Sequence, residues 1–263
     1  MAILKEGIEI TGGIGQLSAY RMRGSDKIIV RKKAGPTKKQ MLHSRKFERT
    51  RENMAEFIGV GMAVRAIRSP LIHVKRLAGY NFTSTLTTIC KKIQLRDTVG
   101  EKGQRGIFLS QHRYMLAGFR LHREHPFLSI VTGPVNCFLD RKTKSALIQL
   151  PQLVPGVNLN LPWKQPLFRF CMSLGVVPDV VYDSEGYNNY SAEWVSTKLD
   201  TPWELVTDPL PAQTLELKLD IPGAIRDSQT LVFAIGVEMG VPGLSGEIEE
   251  VKYAGSACIL AVG

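Results

Sequence analysis

From about His125 onward the apolar residues fall on alternate positions or in short unbroken runs, and no helix-length amphipathic stretch interrupts them. Leu215, Leu217, Leu219 and Ile221 alternate with Glu216, Lys218 and Asp220, which is the pattern of a half-buried strand with one wet face. Phe168, Phe170, Met172 and Leu174 read as another one-sided strand. Ala146, Ile148 and Leu150 give one more, and Val157, Leu159 and Leu161 a further one. Residues 230–239 and 257–262 are apolar on both faces, as central strands are. Pro155-Gly156, Asp183-Ser184-Glu185-Gly186, Pro222-Gly223 and Pro242-Gly243 punctuate the runs as turns. Roughly six to nine short strands at a spacing of about 8–12 residues predict an antiparallel β-sandwich-like domain, and the lack of crossover helices argues against a parallel α/β sheet.

The N-terminal part has a different texture. Residues 8–33 read as short strands divided by glycines: Ile8 and Ile10, then Gly12-Gly13-Ile14-Gly15, then a hairpin joining 17–23 to 27–33 through Gly24-Ser25-Asp26. A period of two places Tyr20, Met22, Ile28 and Val30 on one face and Arg21, Arg23, Arg31 and Lys33 on the other. Helix begins after Ala34-Gly35-Pro36, where Thr37 and Gln40 have capping-box spacing. Phe47, Met54, Phe57, Ile58, Met62 and Val64 then form an apolar stripe opposite Arg45, Lys46, Glu48, Arg49, Arg51, Glu52 and Glu56, until Pro70. Gly59 and Gly61 each lower helix propensity by about 1 kcal/mol, so two helical pieces are expected there. A second helix carries Phe82, Leu86, Ile89, Cys90 and Ile93, and a shorter one spans 110–117. The fold class is therefore α+β. It divides into a basic β-ribbon arm at 1–36, a helical region at 37–122 and the β-sandwich-like domain at 123–263.

Charge follows the same gradient. Residues 1–125 hold 25 Lys+Arg against 9 Asp+Glu, and residues 126–263 hold 9 against 15, within a net +10. A basic half joined to an acidic half calls for a polyanion or for a second copy offering its opposite end. The N-terminus turns polar too soon for a signal peptide and the longest apolar runs are strand-length, which predicts cytoplasmic synthesis and no membrane span. Cys90, Cys137, Cys171 and Cys258 lie far apart with no Cys-x-x-Cys spacing, so buried free thiols are expected.

No motif commits the chain to catalysis, a cofactor or a metal. The Gly12-Gly13-Ile14-Gly15 cluster lacks the third glycine and the following helix of a dinucleotide loop, and reads as a strand kink or tight turn. His122-Arg123-Glu124-His125, with His112 nearby, lacks the His-Glu-x-x-His order that sets two imidazoles on one helix face, so surface histidines are expected. Asp179 with Asp183, and Glu247 with Glu249 and Glu250, are acid pairs in turn-rich stretches, where solvated loops are the default. The one dense candidate is cationic: Arg21, Arg23, Lys27, Arg31, Lys32, Lys33, Lys38, Lys39, Arg45 and Lys46. Such residues bind phosphates by counterion release, or an acidic protein surface.

The run Arg31-Lys32-Lys33-Ala34-Gly35-Pro36-Thr37-Lys38-Lys39, then Phe47-Glu48-Arg49-Thr50-Arg51-Glu52-Asn53-Met54-Ala55-Glu56-Phe57, and then Gly103-Gln104-Arg105-Gly106, resembles an uncharacterised protein family of about this length found mainly in Bacteroidetes genomes. The resemblance implies source and cytoplasmic manufacture, and brings no site residue with it. The expectation is a non-enzymatic structural protein that forms a homo-oligomer by head-to-tail contact, its cationic front meeting the acidic β domain of a neighbour to build a ring, filament or particle. Glycines 12, 13 and 15 would form the joint of the arm. The alternative is a nucleic-acid-binding protein using the same basic residues.

Overall fold

The computed structural model describes residues 2–3, 11–33, 35–190, 195–244 and 246–263, so Ile8 and Ile10 lie outside the described residues. The fold is α+β, with an N-terminal antiparallel hairpin sheet, a helical region and several antiparallel sheets. Contacts divide it into two units, Met1–Arg51 and Glu52–Gly263.

The first unit is a four-stranded antiparallel sheet of β1 (Ala2–Ile3), β2 (Gly12–Ile14), β3 (Leu17–Arg21) and β4 (Ile28–Lys32), in the order β1-β4-β3-β2. Gly15, with φ +54°, takes the tight turn between β2 and β3, as the glycine cluster suggested. Helix α1 (Lys38–His43) starts on the expected capping box: Gln40 N donates to Thr37 Oγ1 at 3.2 Å, and Thr37 N donates to Gln40 Oε1 at 2.8 Å. A 3₁₀ turn (Arg45–Phe47) follows, and Arg51 donates to the Met41 and Ser44 carbonyls, both at 2.9 Å, tying off the end of α1.

Helix α2 (Glu48–Arg68) is continuous for 21 residues, where the glycines predicted two pieces. Gly59 instead admits the Tyr187 ring, which lies 2.5 Å from where a Cβ would be. The buried side of α2 is also not the expected stripe. It consists of Glu56, Gly59, Val60, Ala63, Val64, Ala66 and Ile67, while Met54, Phe57 and Ile58 are exposed. Small residues win the buried face because the elements against them approach closely. Helix α3 (Thr83–Gln94) buries Leu86, Cys90 and Ile93 as expected. The expected helix at 110–117 is two 3₁₀ turns, Leu109–Gln111 and Arg113–Met115, and a short α4 (Phe127–Ile130) follows.

Among the described residues the second unit holds ten further strands: β5 (Asn136–Asp140), β6 (Ser145–Leu150), β7 (Leu167–Pro178), β8 (Val181–Asp183), β9 (Gly186–Asn188), β10 (Ser196–Asp200), β11 (Glu204–Leu205), β12 (Gln213–Lys218), β13 (Gln229–Pro242) and β14 (Ile248–Val262). One sheet has the order β10-β7-β13-β14 with β11 also on β7, the second has the order β12-β6-β5, and β8 and β9 form a hairpin. In place of the expected strand at 157–161, Leu159 alone makes isolated bridges, to Val131 and to Pro155.

Pleat alternation sends the side chains of the large sheet in two directions. Phe168, Phe170, Met172, Leu231, Phe233 and Ile235 meet Ala146, Ile148, Leu150 and Leu217 of the three-stranded sheet, which gives the sandwich core. On the reverse face Cys171, Val177, Val232, Ala234, Ala257 and Ile259 meet Val60, Val64, Ile67, Leu71 and Leu86 of the helical layer. Strand β7 is consequently buried on both sides, not one-sided as its pattern suggested. The helix-facing side is low: a Cβ at Gly236 would fall 2.6 Å from Leu77 Cδ1, and one at Gly175 would fall 2.8 Å from Pro70 Cβ. A side chain at either position would lift the 69–77 segment off the sheet.

Buried Glu56 braces this layer. Its carboxylate accepts from Lys91 Nζ (2.5 Å), Arg105 Nε (2.7 Å) and Gly103 N (3.1 Å), while Gln94 Nε2 donates to its backbone carbonyl at 3.2 Å. Burial alone would raise its pKa, but the hydrogen bonds from Arg105, Lys91 and Gly103 outweigh that and hold it at about 2, against an ordinary 4.5. With the folded pKa depressed, the contribution to stability is complete above about pH 4.5 and is lost as pH falls towards 2. Glu56→Gln is expected to cost roughly 3 kcal/mol at neutral pH by leaving two cations uncompensated. In denaturant unfolding the gap from wild type should close through that acid window; a gap that does not change with pH would show that the charge is not its source.

Candidate functional site

All ten sequence-nominated cations are exposed and lie in the first unit. Arg21, Arg31 and Lys32 are on strands, Arg23 and Lys27 are in the hairpin turn, and Lys33 follows β4. Lys38 and Lys39 open α1, and Arg45 and Lys46 form the 3₁₀ turn. They do not share one ribbon face. The register pairs Arg21 with Ile28, Ala19 with Val30 and Leu17 with Lys32 on one side, and Tyr20 with Ile29 and Ser18 with Arg31 on the other. The connection between Arg21 and Ile28 is longer than the expected turn, with Gly24 at φ +82°, and this shifts β4 by one place so that its side chains exchange faces.

Arg31 and Lys33 have neighbours within the sheet unit. The Arg31 guanidinium lies 5.2 Å from the Tyr20 ring centroid, and Lys33 Nζ donates to the Gly15 carbonyl at 2.9 Å. The unit as a whole concentrates charge: residues 1–51 carry 13 Lys+Arg against 4 Asp+Glu, a net +9 of the chain's +10, and residues 52–263 carry 21 against 20. At physiological salt the Debye length is about 8 Å, so neighbouring cations on so small a body reinforce one another towards an incoming anion.

The second unit holds a charge cluster that the motif search did not nominate. Glu238 on β13 points to the helix-facing side and is 2% exposed. Arg76 grips it through two hydrogen bonds, Nε to Oε1 at 2.7 Å and Nη2 to Oε2 at 2.8 Å. Arg169 Nε adds a bond at 2.9 Å and Cys171 Sγ one at 3.2 Å. Glu250 pairs with Arg169 and approaches Arg76 Nε at 3.4 Å, and the Arg169 guanidinium stacks 4.3 Å from the centroid of Trp203. Beside the cluster the β13–β14 ladder slips between Glu238 and Gly240, and Tyr253 takes φ +64°. The bulge opens a cleft of about 360 Å³ lined by Arg76, Glu238, Glu250 and Tyr253.

The arrangement braces the sheet, tying β13 to Arg76 and to Arg169 of β7. Burial would raise the Glu238 pKa, but Arg76 and then Arg169 hold it below its ordinary value. Burial, then the Glu238 charge, push the Cys171 thiol well above its usual range and keep it protonated. A sequence signal did exist: Glu238 is the lone charge in the apolar run 230–239.

The remaining candidates separate. Asp179 is buried and accepts from Ser110 N (2.8 Å) and Ser110 Oγ (2.5 Å), with its pKa raised by burial, whereas Asp183 accepts from Tyr190. The two do not form a pair. His122 and His125 are half-buried, not on the open surface; His125 N donates to His122 Nδ1 at 3.0 Å and Trp163 lies edge-on to both rings. Among the described residues no three His, Cys, Asp or Glu side chains converge as metal ligands, and no helix is long and apolar enough to cross a membrane.

No family model, curated protein or solved structure matches the chain.

Glu238→Ala is expected to destabilise by roughly 3–5 kcal/mol, because Arg76 and Arg169 lose their buried counter-charge. Glu250→Ala, at the exposed rim, should cost under about 1 kcal/mol. Urea midpoints of the two variants provide the check, and equal losses would contradict the assignment of Glu238 as the brace.

Proposed function

We propose that the chain is a non-enzymatic assembly subunit whose cationic first unit docks on the acidic β surface of a neighbouring copy. The observation that carries the reading is the concentration of net +9 in residues 1–51, with all ten nominated cations turned to solvent. A strongly positive body this small serves contact with a negative surface far better than it serves its own packing, since like charges in one place repel. The complementary surface is carried by the β domain, where exposed Glu247, Glu249 and Glu250 crowd the start of β14. Front-to-back contact is heterologous, and it closes into a ring or extends into a filament according to its rotation.

Charge reversal tests the reading. The triple variant Arg21→Glu, Arg23→Glu, Arg31→Glu should keep its unfolding midpoint within about 1 kcal/mol, since exposed charges contribute little to stability. In light scattering at rising concentration the wild type should form large species and the variant should not, and wild-type assembly should weaken with added salt. Normal assembly by the variant overturns the reading. A wild-type monomer that copurifies with nucleic acid, with an affinity falling steeply in salt, would instead make the same cations a phosphate-binding surface.

A further inference from the structure

The outward side of α2 breaks the usual division between apolar inside and polar outside. Phe57 and Ile58 are 66% and 62% exposed, Met54 is exposed one turn earlier, and Leu95 just beyond α3 is 55% exposed. An open groove of about 350 Å³ runs between the helices, with Phe57, Val60 and Leu95 along it and Lys91 and Lys92 at its rim. Lys91 is already engaged by Glu56 at 2.5 Å, so Lys92 is the solvent-facing cation there. A complementary ligand must be apolar at its point and acidic along its sides.

The same unit carries such a shape. Strand β7 ends its pairing with β13 at Leu167 opposite Gly240, but β13 and β14 continue, with Val241 opposite Glu249 and Pro242 opposite Ile248. Residues 241–244 and 246–249 thus project as the two sides of a finger, with Gly243 N donating to the Glu247 carbonyl at 2.7 Å. Its tip residue Leu244 is wholly exposed, and Glu247, Ile248 and Glu249 beside it are exposed as well. A ribbon of two strands is marginal in water, which makes an apolar tip of this kind costly unless something covers it.

We infer that the finger of one copy seats in the α2–α3 groove of the next copy, with Leu244 against Phe57 and Leu95 and a finger glutamate beside Lys92. Charge complementarity selects this occupant: the finger brings carboxylates to a lysine rim, and both surfaces are bare in a single copy. Groove and finger lie in one unit, so the contact is head to tail and propagates. The inference rests on the assembly reading above and adds a second, apolar contact to it.

Mixing a Leu95→Cys variant with a Leu244→Cys variant under mild oxidation tests the geometry. A disulfide-linked dimer is expected in the mixture, and in neither variant alone nor in wild type, whose own thiols are buried or half-buried. Leu244→Asp should weaken association by roughly tenfold or more with an unchanged unfolding midpoint. Assembly in light scattering without the mixed disulfide overturns the finger contact and leaves the ribbon reading standing. A mixed disulfide that persists when both partners carry the reversed ribbon arginines keeps the finger contact and removes the ribbon. Wild type that stays a single chain at every concentration defeats both.

Discussion

A sheet buried on both faces governs the larger unit. Strands β7 and β13 have the sandwich core on one side and the helical layer on the other, so nearly every side chain along them is enclosed. Such strands must be apolar in both directions, and the side facing helices must also be low, because a helical segment cannot settle onto tall side chains. Gly175 and Gly236 supply that low relief beneath Pro70 and Leu77. The three-stranded sheet opposite has no such demand, and its inward apolar residues alternate with exposed, mostly polar ones.

Two carboxylates interrupt this apolar regime, and each sits where separate elements meet. Glu56 links α2 to Lys91 of α3 and to Arg105 of the following loop, and Glu238 links β13 to Arg76 and to Arg169 of β7. A buried carboxylate is tolerable only with its lone pairs occupied, so either site penalises any shift that moves a partner away. Their contribution is therefore positional as much as energetic: they allow one seating of the helices on the sheet.

Much of this was legible in the residues. The Thr37–Gln40 capping box, the doubly apolar run that became β13 and the alternation of β12 were read from local chemistry alone, because each depends on neighbours in sequence. The misread features depend on neighbours in space. On α2, hydropathy favours Met54, Phe57 and Ile58, but Gly59, Val60 and Ala63 lie inside because the Tyr187 ring and the sheet approach too closely for larger groups. On β7, Arg169, Cys171, Ser173 and Gly175 resemble a wet face, and only the helical layer and Glu238 show why they are enclosed. The ten cations were found by composition, while their division between ribbon faces hung on a turn length no pattern revealed.

The projecting end of β13 and β14 bears on aggregation. A bare β-ribbon invites pairing with its twin, the first step towards disordered stacking. Every copy bears Glu247, Glu249 and Glu250 on that short stretch, and Pro242 withholds a donor from the strand opposite. Two such ribbons laid side by side would crowd six anions together. Those charges on the ribbon thus oppose the edge-to-edge pairing that amyloid-like growth requires.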